Sequence, residues 1–151
     1  MKLHLVAVGR LRKGPEKALV DDYLDRFAKS GRTLGLPSVT MTEVDPRGGS
    51  EALAIDRALP DGTAIVALDE RGKQLSSPAF ADLLAAYRDR AQDVAFVIGG
   101  ADGLTDDLRG RADRLLAFGP MVWPHMLARV MLSEQLYRAA SILAGSPYHR
   151  A

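Results

Sequence analysis

The sequence predicts an α/β domain: a mostly parallel sheet with helices on both faces. Segments with the two-residue period of strands alternate with segments of helical period from one end of the chain to the other. The central candidate strands are continuous β-branched or aliphatic runs, as in strands covered on both sides. No repeat, low-complexity tract or long linker interrupts the 151 residues, a length that suits one domain with a substantial core. A single domain over residues 1–151 is therefore expected.

Residues 2–8 (KLHLVAV) read as the first strand, with His4 in a structural place. Residues 15–29 read as a helix with Leu19, Tyr23, Leu24 and Phe27 on one face and Pro15 in its first turn, where a missing N–H costs nothing. Residues 38–44 (SVTMTEV) form a second strand, DPRGGS at 45–50 a turn, and Ser50 caps a helix over 51–59. The third strand is TAIVALD at 63–69; ERGKQLSSP then makes a loop in which Ser77 caps a helix opened by Pro78 and ending near Ala91. Val94 to Ile98 is the fourth strand, Thr105 caps a short polar helix, RLLAFG at 114–119 is the fifth strand, and 127–144 is the last helix. Leu127, Val130, Met131, Leu132, Leu136 and Tyr137 spread around more than half of that helix. Such girth implies burial on two sides, by the helix's own sheet and by a second copy of the chain.

Composition excludes several classes. With no cysteine there is no disulfide framework, thiolate nucleophile or zinc ribbon. No apolar run approaches the roughly 18 residues of a membrane span, and MKLHLVAVG reads as a strand rather than a leader, so a soluble cytoplasmic protein is expected. The net charge is +1, from 20 Lys and Arg against 19 Asp and Glu, too weak a field to hold bare nucleic acid without specific contacts. A polyanion must be met locally, and Arg10, Arg12, Lys13 and Lys17 crowd the turn after the first strand.

In parallel sheets ligands gather at the carboxyl ends of strands, which directs attention to Leu68 and Asp69, to Gly99–Gly103 and to Gly119–Pro124. The glycine turn fits neither a P-loop nor a dinucleotide fingerprint. Asp102 inside it would repel a pyrophosphate but tolerate a neutral nucleoside or a cation, which favours an adenosine-like or sulfonium ligand. In FGPMVWPHML, 118–127, two prolines force an irregular extended loop whose main-chain groups need partners, and an adenine edge is one. Trp123 is either part of that loop's ligand surface or ordinary core. The chain closes on Tyr148, His149 and Arg150, an aromatic ring, an imidazole and a fixed cation in a row, a trio suited to a nucleobase.

Together LVAVG, ALDERGK, FVIGGADGL, PHMLARVMLSEQLYRA and SPYHR resemble, in order and spacing along the whole chain, the bacterial large-subunit rRNA pseudouridine N3-methyltransferases of the SPOUT superfamily. That resemblance implies a deep trefoil knot near the carboxyl terminus and S-adenosyl-L-methionine bound bent within it at a homodimer interface. It implies cofactor contacts at Leu68, Gly100, Gly119, Pro120, Met121, Val122, Trp123 and Pro124. The implied reaction is methyl transfer to N3 of a pseudouridine in the 23S rRNA hairpin that forms an intersubunit bridge, with no metal. His149 would accept or relay the N3 proton, Arg150 hold a phosphate or the developing negative charge, and Tyr148 stack on the ring. His125 would pin the cofactor loop through a hydrogen bond, and Arg129 would face substrate or the partner subunit. Arg10, Arg12 and Lys13 would meet phosphates of an assembled ribosome. Ser146 stands where the family usually carries His, and reads as a packing or capping position. A SPOUT enzyme acting on tRNA and a non-catalytic adenosylmethionine- or RNA-binding module are the alternatives.

Overall fold

The computed structural model describes residues 1–45, 47 and 50–150. The expected turn at 45–50 falls partly on Pro46, Gly48 and Gly49, which lie outside the described residues, as does Ala151.

Among the described residues five strands, β1 (Leu3–Val8), β2 (Val39–Val44), β3 (Ala64–Gln74), β4 (Val94–Ile98) and β5 (Arg114–Ala117), form one sheet in the order β2-β1-β4-β3-β5. Every pairing is parallel. Alternate side chains of the central strands enter two separate cores. Leu3, Leu5 and Ala7 of β1 and Val94, Phe96 and Ile98 of β4 face helices α1 (Pro15–Gly31), α3 (Ser77–Asp89) and α5 (His125–Ala144), which bring Phe27, Phe80, Leu132 and Leu136. Val6, Val8 and Val97 face α2 (Glu51–Ala58) and α4 (Asp106–Arg111), through Ile55 and Leu108. The expected two-faced sheet is what the chain builds.

The helix starts follow their caps. The Ser50 hydroxyl accepts from the Leu53 N–H and the Thr105 hydroxyl from the Leu108 N–H, as expected. At α3 the cap is Ser76 rather than Ser77: Ser76 Oγ accepts from the Ala79 N–H at 3.2 Å, while Ser77 Oγ donates to Gln135 Oε1 at 2.8 Å. Ser76→Ala should therefore cost about 1 kcal/mol, and Ser77→Ala less, in urea unfolding; the reverse order would reassign the cap.

One expectation needs correction. Residues 70–74 are not loop: β3 runs on to Gln74, shifting register between Leu68 and Lys73 so that Leu116 of β5 faces both. Beyond Ala67 this strand has no register partner in β4, which is why a charged stretch can continue it. Part of the burial of α5 arises within the chain, since α1 and α3 flank it and hold Leu132 and Leu136 in one core with Phe27 and Phe80. Leu127 stays 43% exposed and Val130, Met131 and Tyr137 are only half-buried, so the chain's own packing does not use up the helix's apolar girth. Gly145, at φ 71°, ends α5, and the Ser146 N–H returns to the Ser141 carbonyl at 3.0 Å, a helix-closing motif that needs nothing from the residue-146 side chain.

Candidate active site

A cleft of about 580 Å³ opens at the carboxyl ends of β4 and β5 and at the register shift of β3, a volume in the range of small-molecule sites. Its walls are the three stretches singled out by strand-end reasoning: Leu68 to Glu70, Ile98 to Gly103, and Leu116 to His125, where only Pro120 stands off the wall. Of the residues that the resemblance assigns to the cofactor, Leu68, Gly100, Gly119, Met121, Val122, Trp123 and Pro124 line this cleft. Pro120 is exposed. Trp123 is not core; it is 43% exposed beside Met121 and Val122, which are more exposed still.

The glycines divide by what surrounds them. A Cβ on Gly99 would lie 2.9 Å from Leu104 Cδ2, and one on Gly100 would lie 2.8 Å from Glu51 Oε1 and 3.1 Å from Val8 Cγ1. These two are bare because the protein itself presses on them. Gly103 instead closes a hydrogen-bonded turn, its N–H donating to the Gly100 carbonyl at 3.0 Å with φ 74°. Gly119 at φ 121° begins the loop to α5 with open space where a Cβ would be. The turn is thus a compact ledge with main-chain groups at its rim.

The cleft's charged side chains are Asp69, Glu70 and Asp102, with no Lys or Arg among the lining residues. Asp69 is nearly buried, accepts from the Arg71 N–H at 2.9 Å and pairs with Arg109 at 3.3 Å. Arg109 also reaches the Leu104 carbonyl and Asp106, so α4 is strapped to the rim. A site with carboxylates, bare backbone and an exposed indole suits a neutral base joined to a positive centre and disfavours a pyrophosphate. Among the described residues no group of three or more His, Asp and Glu could hold a metal ion.

His125 lies at the amino end of α5 and lines the same cleft. Among the described residues the hydrogen bond expected to pin the loop is absent: Nδ1 is buried with no partner. The ring instead packs near Gly9, whose Cβ position lies 3.4 Å from His125 Cε1. His4 sits in β1, partly buried, with no partner for its Nε2 among the described residues.

Arg129 does not face a substrate. Its side chain is fully buried, and the guanidinium donates to Glu43 Oε2 at 2.6 Å, the Val8 carbonyl at 3.2 Å and the Gly9 carbonyl at 2.9 Å. Glu43 Oε2 also accepts from the Leu11 N–H at 2.7 Å. This clamp fixes the start of the 9–13 loop, whose Arg10, Arg12 and Lys13 are exposed. Arg10 and Arg12 border a second hollow of about 510 Å³ with Arg47. Lys17 is drawn off into a pair with Asp21. The sequence held a clue to the buried arginine: residues 129, 132 and 136 share one helical face.

Of the carboxyl-terminal trio, Tyr148 and His149 dock on α5 rather than on the cleft. Tyr148 donates its hydroxyl to Glu134 Oε1 at 2.8 Å and packs its ring 4.6 Å from that of Tyr137. Burial, then the Glu134 hydrogen bond, push the phenol above its ordinary range, so it stays a donor. Arg138 pairs with Glu134 at 2.6 Å, lies 4.8 Å from the Tyr148 ring centroid and contacts His149 Nδ1 at 3.1 Å. Tyr148 thus anchors the tail, its ring engaged by Tyr137 and Arg138 rather than left free for a base. Arg150 is exposed. Sequence reasoning missed Glu134 and Arg138, although their four-residue spacing on a helix is that of an ion pair. Arg138 is about 20 Å along the helix from His125, at 1.5 Å per residue.

An all-parallel α/β sheet thus carries a backbone-walled cleft lined by carboxylates, of a size to admit a small organic ligand. The family model described as "Predicted SPOUT methyltransferase" matches residues 1–149, and the chain belongs to that family. It is 62% identical to the ribosomal RNA large subunit methyltransferase H of Paracoccus denitrificans and 64% identical to that of Cereibacter sphaeroides, each over 99% of both chains. Among solved structures, a probable methylase family protein from Haemophilus influenzae superposes with a TM-score of 0.58 at 17% identity, over 99% of this chain and 70% of that one. A probable methyltransferase from Bordetella pertussis gives 0.58 at 18%, over 92% and 96%. Both likenesses concern the fold.

Proposed function

We propose that this chain is an S-adenosylmethionine-dependent methyltransferase that modifies N3 of a pseudouridine in the intersubunit-bridge hairpin of 23S rRNA, working in the cytoplasm as a homodimer on assembled ribosomes. The observation that carries the reading is the cleft: the main chain after β4 and β5 and at the register shift of β3 encloses a space for a small ligand, lined by carboxylates and by no Lys or Arg. The full-length similarity to proteins named ribosomal RNA large subunit methyltransferase H supports rRNA as the substrate.

Leu68, Gly100, Gly119 and Met121 to Pro124 would hold the cofactor, the irregular 118–124 backbone meeting the adenine edge and the acidic rim the sulfonium. The cofactor supplies an activated methyl group; its transfer to N3 leaves S-adenosylhomocysteine and releases the N3 proton. The protein's task is alignment and charge stabilisation. Gly9, next to His125, starts the exposed basic loop, so phosphates met by Arg10, Arg12 and Lys13 would lie beside the cofactor site.

The tail of one protomer is far along α5 from its own cleft, so a complete site requires the Tyr148-His149-Arg150 segment of a second copy. The exposed apolar group Met121, Val122, Trp123 and Leu127 supports such pairing. The trefoil knot is part of the proposal and rests on membership of the SPOUT family.

Calorimetry should detect S-adenosylmethionine and S-adenosylhomocysteine binding to the purified chain; no heat with either would remove the reading. Ribosomes from cells lacking the chain should lack the methyl group by mass spectrometry and accept it in vitro, whereas isolated 23S rRNA should be a poor substrate. His149→Ala should slow transfer about 100-fold with cofactor affinity unchanged; wild-type turnover would take His149 out of the site.

A further inference from the structure

We propose that Arg138 is a positioning residue that locks His149 in the tautomer protonated on Nε2, so that the imidazole faces the substrate base as a hydrogen-bond donor. The inference rests on the methyltransferase reading for its consequence, though not for its geometry.

A guanidinium has donors only. Arg138 Nη1 lies 3.1 Å from His149 Nδ1, so Nδ1 must present its lone pair, and the single proton of the neutral ring sits on Nε2. The imidazolium form would turn an N–H toward the guanidinium and lose the bond. Arg138 has little freedom to yield. Glu134 Oε1 takes its Nε at 2.9 Å and its Nη2 at 2.6 Å, leaving Nη1 for the histidine. Tyr148, bonded to the same carboxylate oxygen, closes the network against the guanidinium. Gln135 donates to the other oxygen of Glu134 at 3.0 Å. Among the described residues no hydrogen bond uses His149 Nε2.

A uracil-type ring carries a carbonyl on each side of N3, and loss of the N3 proton spreads negative charge onto those oxygens. An Nε2–H aimed there stabilises that charge; it does not take the proton, which passes to water. His149 is therefore a donor rather than the base, and Arg138 acts through it.

The test is a long-range 1H–15N spectrum of the ¹⁵N-labelled full chain at a pH where imidazoles are neutral, with His149 identified by its loss in His149→Gln. Wild type should show Nε2 protonated and Nδ1 bare. Arg138→Met should give a mixture of tautomers and lower turnover on ribosomes roughly tenfold without weakening S-adenosylmethionine binding. Arg138→Lys, which also only donates, should restore the Nε2–H signature and much of the rate. A wild-type ring protonated on Nδ1, an unchanged tautomer in Arg138→Met, or failure of Arg138→Lys to restore it overturns the inference. The expected tautomer in a wild-type chain that methylates no ribosome would count against the proposed function and leave Arg138's hold on His149 standing.

Discussion

Glu43→Ala is expected to destabilise the fold by about 3–5 kcal/mol, the range for removing one partner of a buried ion pair. The Arg129 side chain is 0% exposed whereas that of Glu43 is 32% exposed. Without the carboxylate, a guanidinium enclosed between β1, β2 and α5 keeps, among the described residues, the Val8 and Gly9 carbonyls and a weak contact to Met41 Sδ at 3.8 Å. The Leu11 N–H loses its acceptor as well. Removing the other partner is milder: after Arg129→Met the exposed part of Glu43 can turn to water, and a linear apolar chain fills part of the space. Urea unfolding of the two variants should therefore rank Glu43→Ala below Arg129→Met. A loss under about 1 kcal/mol for Glu43→Ala, the level of a surface pair, would show that the clamp is not structural. Because the same carboxylate holds the 9–13 loop, Glu43→Gln, which keeps an acceptor, should retain more ribosome binding than Glu43→Ala.

Gly72→Ala is the second large effect. A Cβ there would lie 2.6 Å from the carbonyl carbon of Leu115, 2.7 Å from its oxygen and 2.7 Å from the Leu116 nitrogen. These are backbone atoms of a paired strand, so relief requires β3 and β5 to separate. Overpacking of this kind costs about 3 kcal/mol, a large share of the roughly 5–15 kcal/mol that a domain has. The effect should reach the site too, since β5 leads directly into the 118–124 wall of the cleft. Gly72→Ala should weaken S-adenosylmethionine binding along with stability, whereas Gly62→Ala, strained at φ 75° but in open space, should leave binding intact. Wild-type melting and affinity in Gly72→Ala would mean that the two strands are not so closely apposed.

Local patterns made most of the architecture legible. Val94–Ile98 is apolar at every position because both faces of β4 are covered, and Ser50 and Thr105 cap helices through contacts three residues away. Such features depend on neighbours in the chain. The extension of β3 through Glu70, Arg71 and Lys73 was not legible, since charged residues there signal a loop unless a remote strand, β5, supplies the ladder. The same holds for His125, whose expected hydrogen bond depended on what surrounds it.

By itself the sequence determined the alternation of strands and helices, the three stretches that wall the cleft, and membership of a methyltransferase family, because these reside in residue types and short spacings. Only the tertiary structure decided that Arg129 is a buried clamp, that Gly99 and Gly100 are bare against Leu104 and Glu51, and that the tail lies on Glu134 and Arg138. Each of these joins positions whose meeting is set by how the elements pack, and a helical stripe looks alike whether it carries an arginine into the core or out to water.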